Sequence, residues 1–116
     1  MLPQSHRLEK GDVLRVNDAR FIVVAAKGNE AAGCAIIADP ENRHRSDMRM
    51  HWAQAFRLGI RGDCVVRCAP QIIKAADQQE RVGKVAPVVA DKVASFVAKE
   101  MQIQAREDAW RSELVR

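Results

Sequence analysis

Apolar and polar positions alternate along the first two-thirds of the chain in short blocks, each closed by a turn signal. Gly11-Asp-Val-Leu-Arg-Val16 is rich in strand-favouring residues, Asn17-Asp18-Ala19 marks a turn, and Arg20-Phe-Ile-Val-Val-Ala-Ala26 is apolar on both faces. The second block therefore predicts a central strand. Lys27-Gly28-Asn29 is another turn signal, and Gly33-Cys-Ala-Ile-Ile-Ala38 predicts a third buried strand. After a polar loop from Asp39 to Asp47, Met48, Met50, Trp52, Phe56 and Leu58 occupy even positions, while Arg49, His51 and Arg57 occupy odd ones. That period of two predicts a half-buried strand with Trp52 and Phe56 on its core side, away from the arginines. Gly59-Ile-Arg-Gly62 is a turn, after which Cys64, Val66 and Cys68 face inward and Val65 and Arg67 outward. Pro70 has no N–H for a ladder, so it ends or bends this strand. A short extended segment over 71–75 completes the β region.

From Pro87 the period changes. Proline suits the first helical turn, where its missing N–H is not needed. Val89, Val93, Phe96, Ile103, Trp110 and Leu114 then share one side of a helix, interrupted by Glu100 and Glu107. Unbroken to Arg116, that helix is about 45 Å long, more than the width of a small barrel, so its last turns project, break or dock. The predicted fold is mainly β with a C-terminal helix: a strongly bent barrel or sandwich of about five short strands. Residues 1–9 read as a loose arm, 10–101 as the barrel with its helix, and 102–116 as a helical extension.

Composition narrows the setting. The 116 residues support one domain, and no apolar run approaches the ~20 residues of a membrane span. Met-Leu-Pro-Gln-Ser-His-Arg, at the start, has no long apolar region, so no secretion signal is expected and the expected location is cytoplasmic. Cys34, Cys64 and Cys68 read as small buried thiols. On one strand, Cys64 and Cys68 would stand ~13 Å apart, beyond disulfide reach. With no Cys-x-x-Cys pair, neither a metal nor a cofactor is expected.

The net charge is +4, and arginine supplies most of the positive side. Arg43, Arg45, Arg49, Arg57, Arg61 and Arg67, with His44 and His51, face only Glu41, Asp47 and Asp63 in the same stretch. Guanidinium groups match phosphate oxygens and stack on bases. Nucleic acid is therefore the expected partner, with Arg43, Arg45, Arg49, Arg57 and Arg67 as contacts; a solvated strand face is the plainer alternative.

Lys10-Gly11-Asp12-Val13, the apolar strand after Arg20, the Val65-Val66-Arg67-Cys68 run and Val82-Gly83-Lys84-Val85 leading into Pro87 together resemble the PemK/MazF/CcdB toxin superfamily, PemK especially. The resemblance covers roughly residues 9–101. It implies an SH3-like barrel, a homodimer, growth inhibition through metal-free cleavage of single-stranded RNA, and neutralisation by an antitoxin. Such cleavage needs a group to take the 2′-hydroxyl proton, one to protonate the departing 5′-oxygen, and a cation at the phosphate. By resemblance Arg20 is that cation, although Phe21 stands where the family has proline. The family's hydroxyl residue after the third strand has no counterpart in Asp39-Pro40-Glu41-Asn42. Its later arginine and aspartate fall on Ile72 and Ala75, with Asp77 the nearest carboxylate. The expected catalytic set is then Arg20, His44, His51 and Asp77, because histidines titrate near neutral pH. A barrel that binds nucleic acid or a protein without catalysis is the competing expectation. In the CcdB branch the C-terminal end recognises a protein, and here Trp110 and Leu114 could form such a face or pack on the barrel or a second subunit.

Overall fold

The computed structural model describes residues 8–60, 62–74 and 79–114; Asp77, one of the expected catalytic residues, lies outside them. Among the described residues the order is β1 (Asp12–Val16), β2 (Ala19–Lys27), β3 (Glu30–Ala38), β4 (Asp47–Arg49), α1 (Trp52–Arg57), β5 (Cys64–Lys74), β6 (Gln79–Lys84) and α2 (Pro87–Leu114). The strands form one antiparallel sheet in the order β4-β5-β3-β2-β1-β6. The mainly β fold with a C-terminal helix is as the sequence predicts.

The sheet bends where its ladders slip. Val24 is extra between β2 and β3, and Cys68, Ala69 and Pro70 together face the single residue Cys34. Pro70 therefore does not end its strand: it sits in a bulge, where a missing N–H is tolerated, and β5 runs on through Lys74. Close packing at the bend requires Gly33, since a Cβ there would lie 2.8 Å from Ile73 Cδ1 and 3.1 Å from Phe21 Cβ. Bending gives the sheet two cores. Val13, Ile22, Cys34, Cys64, Val66 and Cys68 pack under Val85, Ala90 and Val93 on one side, while Leu14, Val23, Ala31 and Ile73 cluster on the other. All three cysteines are free and buried. A hydrogen bond with Cys34, then burial, pushes the Cys68 thiol up, so it stays protonated.

Two features differ from the sequence reading. First, the run from Met48 to Leu58 is not one strand. It is the three-residue β4 followed by α1, which turns Trp52 and Phe56 outward to 72% and 70% exposure. Only Ala55 of α1 is buried, while Leu58 just beyond it reaches across to β6, 3.1 Å from where a Gly83 Cβ would sit. The short helix thus follows edge strand β4 and touches the other edge strand, β6, through Leu58. Second, Gln79–Lys84 forms a sixth strand along β1, where Arg81 Nε donates to the buried Asp12 carboxylate at 3.1 Å. Asp12 also accepts the Glu9 N–H at 2.8 Å, so the Lys-Gly-Asp opening is a structural knot.

Helix α2 is unbroken and its two halves live differently. Ala90 and Val93 are buried in the core with Phe96 and Val97 packed beside them, whereas Trp110 and Leu114 are each 64% exposed. A 28-residue helix is about 42 Å long. Its far end stands clear of the sheet, giving a long axis of 55 Å and a radius of gyration of 15.3 Å, against about 13 Å for a compact chain of this length.

Candidate functional site

Directly paired residues share a face, so Met48, Val66, Ile36, Arg20, Arg15 and Glu80 form one row across β4, β5, β3, β2, β1 and β6. The row starts apolar and ends charged. Arg15 donates from Nη2 to Glu80 Oε2 at 2.6 Å, leaving Arg20 beside it with no ion pair among the described residues. The Arg20 Nε is buried and has no hydrogen-bond partner, and the same holds for Gln79 Oε1. A pocket of about 300 Å³ lined by Arg15, Asn17, Gln79 and Glu80 opens at this end of the sheet. Two guanidinium groups directly opposite one another repel, and a buried charged donor without an acceptor costs about 1–3 kcal/mol. The pocket is lined by Arg15 and not by Arg20, so an anion in it would meet Arg15 first and offset that repulsion.

The histidines are not part of this row. Nδ1 of His44 lies 2.6 Å from Ser46 Oγ and accepts the Ser46 N–H at 3.1 Å, which ties the ring into its own loop. Nδ1 of His51 accepts the Ala53 N–H at 3.1 Å and so caps α1. Both flank β4, separated from Arg20 on β2 by β5 and β3, three strand spacings or about 14 Å along the sheet. Glu41 and Arg43 are exposed in the loop beside His44. The structure therefore does not bring His44 or His51 to Arg20, and Ile72, where the resemblance leads one to look for an arginine, is an exposed apolar residue.

The five expected arginine contacts divide. Arg45 reaches α2, where Nε donates to Glu100 Oε1 and Nη2 to Glu107 Oε1, both at 2.8 Å. Glu100 is only 2% exposed, and the hydrogen bonds from Arg45 and then Gln104 pull its carboxyl down to about 2. Arg67 donates from Nε to Asp47 Oδ1 at 2.8 Å and from Nη2 to the Asn42 carbonyl at 2.9 Å, which holds the Asp47 carboxyl below its usual range. These two arginines are clips between loop, sheet and helix. Arg43 and Arg57 make no ion pair among the described residues, and Arg49 meets only Asp63, at 3.7 Å with both side chains exposed.

Beside Arg49 lies a second opening, a cleft of about 380 Å³ lined by Arg49, Met50, His51, Trp52, Asp63 and Lys92, with Gly62 at its edge. The His51 ring stacks on Trp52 with centroids 5.6 Å apart. The sequence reading missed Arg15, Glu80 and Lys92, because their places depend on strand register and on where α2 starts over the sheet. Among the described residues no group of three or more His, Cys, Asp or Glu side chains could hold a metal ion, and no helix is long and apolar enough to cross a membrane. No protein-family model matches the chain, and no curated protein matches it.

Proposed function

We propose that the chain is a PemK/MazF-like barrel that binds single-stranded RNA through the Arg15–Arg20–Glu80 row and cleaves it there without metal. The observation that carries this reading is the Arg20 guanidinium, which is set opposite Arg15 and has a buried Nε without an acceptor. Buried donors in folded proteins are almost always satisfied, and one that is not calls for an explanation, of which a bound anion is one and an ordered water another. A phosphodiester oxygen supplies both the acceptor and the negative charge.

In this reading Glu80 takes the place of the aspartate that the family resemblance leads one to seek after Cys68. Its carboxylate removes the proton of a ribose 2′-hydroxyl. The freed oxygen attacks phosphorus while Arg20 and Arg15 hold the phosphoryl oxygens, and the P–O5′ bond breaks. The 5′-oxygen leaves with the proton Glu80 has taken up, giving a 2′,3′-cyclic phosphate and a 5′-hydroxyl end. The resemblance adds growth inhibition, an antitoxin and a homodimer to the same proposal.

One observation favours the competing reading, a barrel that binds RNA and leaves it whole. Glu80 is already held by Arg15 at 2.6 Å, a tie that opposes its service as a base. A single experiment separates the two. The protein is incubated with a long mixed-sequence RNA in excess EDTA and the ends are mapped. Cleavage predicts discrete fragments with 5′-hydroxyl ends that disappear with Arg20→Ala and Glu80→Gln. Intact RNA that is nevertheless retained by the protein, and released by Arg20→Ala, selects the binding reading. No retention at all ends both.

A further inference from the structure

Helix α1 carries two large aromatic rings that folding does not use. Trp52 and Phe56 are 72% and 70% exposed, although the chain has only two tryptophans and three phenylalanines to place. One exposed apolar side chain is ordinary. Here two rings sit one turn apart on the same face of a helix, about 6 Å along its axis. The core side of that helix is taken by Ala55. His51 lies against the Trp52 ring and caps the helix through Nδ1, which fixes how the indole is presented.

The charge around the rings is mostly positive. Arg49 and Lys92 share the cleft with Trp52, and Arg57 follows Phe56 in the chain. Asp63, the one acidic side chain in the cleft, is 3.7 Å from Arg49 with both exposed, so it holds that cation weakly. Lys92 and Arg57 have no ion pair among the described residues. Flat apolar rings interleaved with unpaired cations fit a ligand that is itself flat, apolar and anionic at regular spacing, namely unpaired nucleotides. An apolar protein surface would leave these cations without partners, and a duplex would hide its base faces from the rings.

We propose that Trp52 and Phe56 form a base-stacking subsite for unpaired nucleotides, with Arg49, Lys92 and Arg57 receiving the adjoining phosphates. The inference rests on the RNA reading given above but concerns a separate surface, α1 rather than the end of the sheet. Its role is to grip the strand by stacking, whatever the bases, while the Arg15–Arg20 row holds one phosphate.

The test uses the full chain in a Trp110→Phe background, so that Trp52 is the only tryptophan. The probes are a ten-nucleotide oligouridine, the corresponding oligothymidine, which has no 2′-hydroxyl and cannot be cleaved, and an abasic oligomer of equal charge. Saturable quenching of Trp52 fluorescence by both base-bearing probes and not by the abasic one is expected. Tighter binding of the uridine probe assigns the site to RNA, and equal binding assigns it to either single strand. Read by fluorescence anisotropy of an end-labelled probe, Trp52→Ala and Phe56→Ala should each weaken binding about 10-fold or more at unchanged salt slope, with Trp52→Phe restoring most of the loss. Arg49→Gln or Lys92→Gln should instead lower the slope of log affinity against log salt by about one. Circular dichroism confirms that each variant is folded. The proposal is overturned if the alanine variants stay within twofold while Arg20→Ala still abolishes binding, an outcome that leaves the RNA reading standing. It is equally overturned if the abasic oligomer quenches as well, or if the variants change a dimer to a monomer and leave affinity alone, which makes the face a contact between copies. Failure of the RNA reading itself has a different signature, with Arg20→Ala and the ring variants all without effect.

Discussion

Arg45 and Arg20 carry the same side chain in opposite electrostatic situations. Around Arg45, loop and helix converge so that two carboxylates from α2, Glu100 and Glu107, close on one guanidinium at 2.8 Å. Around Arg20 the sheet supplies another arginine, and the one acid in the row is taken by that neighbour. The contrast separates an arginine clipped to two carboxylates from one whose buried Nε has no hydrogen-bond partner among the described residues. Counting arginines along the chain cannot make that division, because the deciding carboxylates come from 55 and 62 residues away.

The comparison is broken most sharply at Arg20. Replacing it with alanine removes an uncompensated donor from the sheet and should leave the melting temperature unchanged or raised. RNA cleavage, or retention if the chain does not cleave, should fall by about 100-fold or more, as when a single oxyanion donor is removed. Melting curves and cleavage rates on the same preparation check both halves. A variant that loses activity only in step with its stability makes Arg20 a structural residue and erases the distinction from Arg45.

Asp47→Ala probes the other side. The carboxylate is nearly buried and accepts from Arg67 and from the His44 N–H at 2.9 Å, so removing it should cost about 1–3 kcal/mol in chemical denaturation. RNA affinity should hold or rise slightly, since Arg67 gains freedom to meet phosphate. A fall in affinity without loss of stability would place Asp47 in the binding site and merge the two classes.

How much of this could be read from the residues varies with range. The first three strands and the start of α2 follow from local patterns: turn signals, alternating burial and a proline at the helix start. The stretch from Met48 to Leu58 defeats the same method, because a six-residue helix and a strand place apolar side chains almost equally well over so few positions. The signals that distinguish them were His51 as a cap, Ala53-Gln54-Ala55 as helix formers and Gly59, whose φ of 76° suits a helix end. Strand β6 was missed because Glu80-Arg81-Val82 is exposed on an edge and carries little apolar alternation. The Arg15–Arg20–Glu80 row depends on register between strands about 65 residues apart, which no local pattern encodes.

Acid titration sharpens the comparison through the clips. The carboxyls of Glu100 and Asp47 are lowered in the folded protein, Glu100 to about 2. Groups with depressed folded values stabilise the protein above their unfolded range, near pH 4, and lose that contribution as pH falls toward the folded value. Stability should therefore decline between roughly pH 4.5 and pH 2, and Glu100→Gln should flatten that limb. An acid limb identical in wild type and Glu100→Gln would detach the Arg45 clip from the stability of the fold.

The smallest effect is expected at the far end of α2. Trp110 and Leu114 lie beyond the Arg45 clip at Glu107, and both are largely exposed. Converting both to alanine removes apolar surface that the single chain does not bury, so unfolding free energy should move by no more than about 0.5 kcal/mol. Denaturation should be measured at two protein concentrations an order of magnitude apart. A loss above about 2 kcal/mol that grows with concentration means that a second copy covers this stripe, since only an assembled state gains stability by mass action. The projecting half of the helix would then belong with the clipped arginines, as part of what holds the molecule together, and Arg45 would set the distance at which two copies are held.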